Sequence, residues 1–140
     1  MFAKEIIVRF GECDGLGHVN NVVYFEYMED ARSDVFRLFN PALELKDWNL
    51  IVASARCEFL QQIKYAEKIR VYTWFGRLGQ SSFDVEHGLQ NELGVWVARG
   101  QATMIHYDYK LSKSTSIPLS IRVHMDEHRT APEGVPALRG

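Results

Sequence analysis

The sequence predicts an α+β domain in which one long central helix is wrapped by a curved antiparallel sheet of about five strands. Three observations predict it. The segment from about Asn20 to Phe39 is apolar over most of its surface, so a helix there needs cover on more than one side. Four β-like segments follow it without any alternation of strand and helix, which argues for antiparallel pairing. In the last of these, Ala98, Gly100 and Ala102 share one face, and small residues there let a helix backbone come close.

The elements follow in order. Residues 3–10, AKEIIVRF, read as a strand that enters a turn at Gly11. The loop GECDGLG has glycines at 11, 15 and 17, which allow the chain to double back tightly and leave amides exposed. In the helix, Tyr24, Tyr27, Met28, Ala31, Val35, Leu38 and Phe39 recur at three- and four-residue spacing, and Val22, Phe25 and Phe36 add a second apolar side. Glu26, Asp30, Ser33, Asp34 and Arg37 are left for water, and Asn40-Pro41 ends the helix. A connector through residues 41–50 has room for one short helical turn. IVASARCEFLQQI then alternates, with Ile51, Ala53, Ala55, Cys57 and Phe59 on one side. Residues 68–76 and 81–89 form a hairpin across Arg77-Leu78-Gly79-Gln80, and Asn91 to Gly94 turns the chain into VWVARGQATMIHYDY. Beyond Tyr109 serines and prolines dilute the pattern. A single domain over residues 1–125 with a flexible tail over 126–140 is expected.

At 140 residues one core is expected. An apolar content of 46% with 24% charged residues is globular, and a net charge of −2 gives no general attraction to nucleic acid or an acidic membrane. No run approaches the ~20 apolar residues of a membrane span, and MFAKEIIVRF lacks the apolar region of a signal peptide. A cytoplasmic location is therefore expected. Cys13 and Cys57 lack metal spacing and suit a reducing compartment; beside Asp14, Cys13 is poorly placed as a nucleophile. His124 and His128 have i,i+4 spacing, but their segment lacks helical apolar periodicity, so no metal site is expected. His87 and His106 lie in strands and read as structural.

Asp14 is the leading candidate for chemistry. It lies on a glycine loop that feeds a helix N-terminus, where partial positive charge and unsatisfied amides are available. Amides from the region of His18 to Asn21 can polarise a carbonyl while Asp14 attacks it or activates water, which suits acyl transfer. From the pattern alone, a helix cap at Asp14 or Asn20 is the favoured reading, because Asp and Asn are preferred at that position. His18 can bind substrate, orient Asp14 or fill a polar slot at the helix start. Tyr24 can line an acyl pocket or belong to the core, and Glu29 can face a cavity or pair with Arg32 or Ser33. Val22, Phe25, Tyr27 and Phe59 would give an apolar pocket for an aliphatic or aromatic acyl group.

The stretch Asp14-Gly-Leu-Gly17-His18-Val19-Asn20-Asn21-Val-Val-Tyr24, followed by Glu29-Asp-Ala-Arg32, resembles the signature of hot-dog-fold thioesterases of the 4-hydroxybenzoyl-CoA thioesterase and YbgC-like group. The likeness continues through Cys57-Glu58-Phe59-Leu60, Arg77-Leu-Gly79-Gln-Ser81-Ser82 and Val97-Ala98-Arg99-Gly100, covering about residues 5 to 110. It implies an acyl-CoA thioesterase with Asp14, His18 and Asn21 as the catalytic set, Asp14 serving as base or nucleophile and the helix N-terminus near Asn21 polarising the carbonyl. It implies substrate contacts at Gly17, Val19, Asn20, Tyr24 and Phe59, with Arg77, Ser81 and Ser82 near the CoA channel. No metal or redox cofactor is implied. A homodimer, often a tetramer, with its site at the subunit interface is implied as well. The same stretch is similar to plant acyl-carrier-protein thioesterases, whose motif Asp-x-Asn-x-His-Val-Asn-Asn is matched by Asp14, His18, Asn20 and Asn21; Leu16 stands in place of its first Asn, which favours the Asp-centred mechanism. Hydrolysis of acyl-carrier-protein thioesters and a non-catalytic acyl or CoA binder are the alternatives.

Overall fold

A helix that is apolar over most of its surface needs a sheet that curls, and the computed structural model, which describes residues 1–140, has one. Strand β1 (Phe2–Ile7) leads through a 3-10 turn (Phe10–Glu12) and a loop into helix α1 (Asn21–Ala31), which α2 (Ser33–Phe39) continues. A connector with the expected short turn (Leu45–Asp47) precedes β2 (Leu50–Phe59), β3 (Lys68–Leu78), β4 (Ser82–Asn91) and β5 (Trp96–Asp108). A two-residue β6 (Lys113–Ser114) folds back on β5, and α3 (Leu119–Asp126) is the last helix. The strands are antiparallel in the order β1-β3-β4-β5-β2, so the first two strands of the chain form the two edges. This half-barrel around a helix is the hot-dog fold.

Helix and sheet meet at Gly100, where an added Cβ would run into the Met28 sulfur. The small-residue face therefore seats the helix as expected, with buried Ala98 and Ala102 on either side. Toward the loop, Tyr24, Met28 and Ala31 pack with Ile69, Val71 and Leu89. Toward the other end, Val35 and Phe39 pack with Phe75, Phe83 and Met104.

Between these two apolar clusters runs a polar belt. Thr73, His87 and Gly100 are successive cross-strand neighbours. His87 Nδ1 lies 3.0 Å from Thr73 Oγ1 and its Nε2 lies 3.3 Å from Arg32 Nη1. A guanidinium only donates, so Nε2 accepts and the ring hydrogen sits on Nδ1. Burial first, then the Arg32 and Arg99 charges, hold this imidazole well below its ordinary pKa.

The single helix expected over residues 20–39 is interrupted at Arg32. Its ψ of −6° tightens the turn, and its amide is shared between Met28 O and Glu29 O at 3.1 Å each. Arg32 is buried against His87 and forms no ion pair with Glu29, which is exposed.

The segment around His124, read as lacking helical periodicity, is in fact helical up to Asp126. Only Met125 of α3 is fully buried, with Ile121 packed beside it, while Leu119 and Val123 stay exposed and blur the stripe. The two histidines diverge: His128 stacks on Phe2 at 3.9 Å between centroids, whereas His124 is exposed beside Glu127.

Residues 127–140 carry no helix or strand, and their contacts trace a path across the sheet. Phe75 N donates to His128 O at 2.9 Å and Arg129 Nη2 to Gly76 O at 3.0 Å, where β1 no longer covers β3. Val135 then fills space beside Trp96 that Gly88 leaves open. Arg99 Nε donates to Pro136 O at 2.8 Å, and Arg139 reaches β2, pairing with Glu58 at 3.5 Å and accepting from Arg56 at 2.9 Å.

The buried His87 sets a pH dependence. Unfolded, it takes a proton below about pH 6.5, while folded it stays neutral, so stability present above that pH is lost as pH falls through it. Between about pH 7.5 and about pH 5.5 we expect the wild type to lose about 1.4 kcal/mol more than His87→Gln in urea unfolding. Equal losses would refute this origin.

Candidate active site

The loop between β1 and α1 is a tight hairpin. Cys13 and Val19 face each other as an antiparallel bridge, Asp14 N donates to His18 O at 2.8 Å, and Gly17 N donates to Asp14 O at 3.0 Å. Gly17 sits at φ +82°, a conformation that a Cβ penalises. A bridge between His18 and Lys64, together with Val19 N donating to Ile63 O at 2.8 Å, ties the hairpin to the chain after β2.

Within the hairpin, Asp14 Oδ1 accepts from Leu16 N at 2.9 Å and more loosely from His18 N at 3.4 Å. Its other oxygen has no partner in the chain, and the residue is exposed. Capping belongs to Asn20, whose side-chain oxygen accepts from Val22 N at 3.0 Å. Of the two residues that the sequence offered as the cap, it is Asn20 that takes the role.

The amides at the helix start are fewer than expected. His18 N is drawn to Asp14, Val19 N is spent on Ile63 O, and Asn20 N donates to Glu12 O at 3.0 Å. Asn21 N alone has no partner within the chain. It stands at the first turn of α1, where the helix dipole adds to its own polarity.

Beside this amide opens a cavity of about 240 Å³ lined by Asp14, His18, Val19, Asn21, Tyr24 and Phe59, with Leu60 to Gln62 forming the opposite wall. Gly17 and Asn20, expected as substrate contacts, do not line it: Gly17 is taken up by the turn and Asn20 by the helix cap. Tyr24 donates to Gln61 O at 3.1 Å and meets Phe59 edge-on at 4.9 Å, and burial raises its pKa, so it stays a phenol. The His18 ring makes no hydrogen bond to Asp14. Burial, and then the Glu58 charge, push the nearby Cys57 thiol up to about 12, which keeps it protonated.

Other expected residues lie apart. Tyr27, grouped with the pocket wall, turns to the β1 side and donates to Glu12 at 2.8 Å. Burial alone would raise Glu12, yet hydrogen bonds from Arg9 and Tyr27 and the Arg9 charge hold it below the usual carboxylate range. Arg77 near the end of β3, Ser81 in the turn and Ser82 at the start of β4 lie about 30 Å along β3 from its start beside the loop. There Arg77 pairs with Asp84 at 3.4 Å and donates to Ser82 Oγ at 3.1 Å. Sequence reasoning did not single out Glu12, Gln61 or Gln62; their one signal was proximity to the Asp14 loop and to the end of the first long strand.

Known proteins match the chain over most of its length. The family model described as the thioesterase-like superfamily matches residues 8–129. The chain is 32% identical over 115 residues to the Bacillus subtilis protein YsmA, covering 82% of this chain and 78% of that protein. It is similar to the structure of a predicted thioesterase from Bacillus stearothermophilus, with TM-score 0.90, 30% identity, and 94% of this chain and 98% of that one covered. It is also similar to a thioesterase from Thermus thermophilus complexed with coenzyme A and zinc, with TM-score 0.78, 29% identity, and 88% and 95% covered.

A Cβ would find open space at both Gly15 and Gly17, but only Gly17 has the positive φ that the hairpin holding Asp14 requires. Gly17→Ala is expected to lose about 1 kcal/mol in thermal or urea unfolding. Gly15→Ala should stay within about 0.5 kcal/mol of the wild type; similar losses in both would contradict this account of the turn.

Proposed function

Because the chain belongs to the thioesterase-like superfamily, we propose that it hydrolyses an acyl-CoA thioester to the free acid and CoA at the cavity beside the α1 N-terminus. The observation that carries the reading is the pairing of a free carboxylate oxygen on Asp14 with the unpartnered amide of Asn21, both lining one cavity. A thioester carbonyl set on Asn21 N meets a fixed donor and the positive end of the helix, which favours the negative charge that develops on its oxygen.

Asp14 then acts on the carbonyl carbon, either by taking a proton from water or by forming a mixed anhydride that water opens. Its Oδ1 is held by loop amides, which aims the free oxygen without removing its charge. Tyr24, Phe59 and Val19 supply the apolar side of the cavity for the acyl group, and His18 faces substrate. No metal or redox cofactor has a part in this scheme.

The reading includes a homodimer. The two edges of the sheet differ: Lys4 on β1 reaches across to Asp30 at 3.3 Å and Ser33 at 3.2 Å, while β2 exposes a run from Val52 to Arg56 that Arg139 meets at the Arg56 end. A second copy pairing there continues the sheet, with Arg77, Ser81 and Ser82 of each copy turned toward the substrate of the other. Sedimentation of a dimer or a larger even oligomer is expected, and an active monomer would contradict it.

Free-thiol release from a panel of acyl-CoA thioesters tests the chemistry. Asp14→Asn is expected to lower kcat by about 100-fold or more with the fold intact. An inert wild type would defeat the thioesterase reading, and full activity in the variant would defeat the role of Asp14. The same panel carried on acyl-carrier protein separates the alternative carrier.

A further inference from the structure

One wall of the cavity beside Asp14 stands on a weakly supported part of the sheet. Phe59 ends β2, an edge strand whose one neighbour in the chain is β5. Past Phe59 the ladder gives out, and Leu60 N and Gln61 N share a single acceptor, Val97 O, at 2.9 and 3.1 Å. An edge end of this kind opens at low cost. Phe59 is itself 42% exposed, so burial does little to hold it. Its ring is nevertheless set edge-on to Tyr24 at 4.9 Å, with Phe25 at 6.3 Å.

The hold comes from the other face of the sheet. Successive side chains of a strand point to opposite sides, so Arg56 and Glu58 stand on the face turned away from α1. There the main chain of Arg139 is gripped twice. Its N–H donates to Glu58 Oε1 at 2.5 Å, and its carbonyl accepts from Arg56 Nη1 at 2.9 Å. The Arg139 guanidinium adds little, since that side chain is 85% exposed and 3.5 Å from Glu58 Oε2.

The grip is firm because the segment is anchored before it reaches β2. The outer face of the sheet holds Trp74, Glu86 and Arg99 buried. Arg99 lies 4.8 Å over the Trp74 ring, spends Nη2 on Glu86 at 2.8 Å and Nη1 on His87 O and Gly100 O, and has Nε left for Pro136 O at 2.8 Å. Val135 packs against Trp96 in the space that Gly88 leaves. Arg99 is the cross-strand neighbour of Glu58, and Ala98 that of Phe59. The segment is therefore fixed to β5 three residues before Arg139 meets β2. The match to the thioesterase-like superfamily ends at residue 129, just before this stretch.

We propose that residues 129–140 form a strap that positions the cavity wall. Arg56 and Glu58 are positioning residues: they hold the end of β2, and through it Phe59, at the distance from Tyr24 that decides how the acyl group is received. The inference rests on this cavity being the acyl site. Asp14 and Asn21 belong to the hairpin and to α1, on the opposite face of the sheet from the strap. Release of the strap therefore acts on substrate binding and leaves the chemical step intact.

Four single variants of the full chain test this. Glu58→Ala removes the acceptor on β2, and Val135→Asp lifts the strap itself; neither residue lines the cavity. Glu58→Gln keeps an acceptor for Arg139 N, and Arg139→Ala keeps the gripped main chain. In hydrogen exchange, the amides of Leu60 and Gln61 should exchange ~5-fold or more faster than wild type in the first two variants and within ~2-fold of it in the other two. In thiol-release assays the first two should raise KM ~5-fold or more with kcat within ~2-fold, while Glu58→Gln and Arg139→Ala match the wild type.

Unchanged exchange in both release variants would overturn the strap. Faster exchange with KM unchanged, or a fall in kcat as large as that in kcat/KM, would overturn its link to the cavity wall. A wild type that hydrolyses no thioester, with the exchange difference present, would refute the thioesterase reading and uphold the hold on Phe59.

Discussion

Where the helix can lie on the sheet is decided by one contact, Met28 in the space left by Gly100. A side chain at residue 100 would take the space now filled by the end of Met28 and force that side chain to repack between the two clusters. With the helix seated, its first turn comes to a fixed place over the end of β2. The hairpin before it is drawn onto Ile63 and Lys64, and Asp14 comes out beside Asn21. The geometry of the site is thus inherited from a packing decision about 10 Å down the helix, since Met28 lies seven residues beyond Asn21.

The polar belt shows how tightly this interior is specified. A guanidinium buried with only an imidazole for company is costly, and Arg32 Nε has no partner at all. Burial lowers the Arg32 pKa, with the Glu29 charge opposing the shift from outside. His87 can accept from Arg32 only while neutral, and Thr73 holds its tautomer. Two apolar clusters are in this way separated by a layer with one acceptable arrangement of hydrogens, placed where the helix makes its small break.

Much of this was legible in the residues. Apolar spacing from Tyr24 to Phe39 located the helix, alternation located the strands, and the small face at Ala98, Gly100 and Ala102 named the seat correctly. The break at Arg32 was not legible, because an arginine in helical sequence reads as a solvated one and its burial depends on His87, 55 residues away. The third helix was hidden by two exposed apolar residues among its eight. At the cavity, motif and position brought Asp14, His18, Asn21, Tyr24 and Phe59 together. Which amides remain free was beyond reach, since it turns on long-range partners such as Ile63 and Glu12. Arg77, Ser81 and Ser82 come from the far end of the sheet, a distance that symmetry and not sequence would bridge.

The segment from His128 to Arg139 runs from the β1 side of the sheet to β2, and its final contact joins Glu58 to a residue 81 positions later. That separation has a kinetic meaning. Loop closure over so many residues is entropically slow, and Arg139 emerges from the ribosome only after every strand. The strands must already be registered for Trp96, Arg99 and Glu58 to present one continuous track. The segment can therefore make its full set of contacts, from Phe75 to Glu58, only on a sheet whose two edges already stand in their native places.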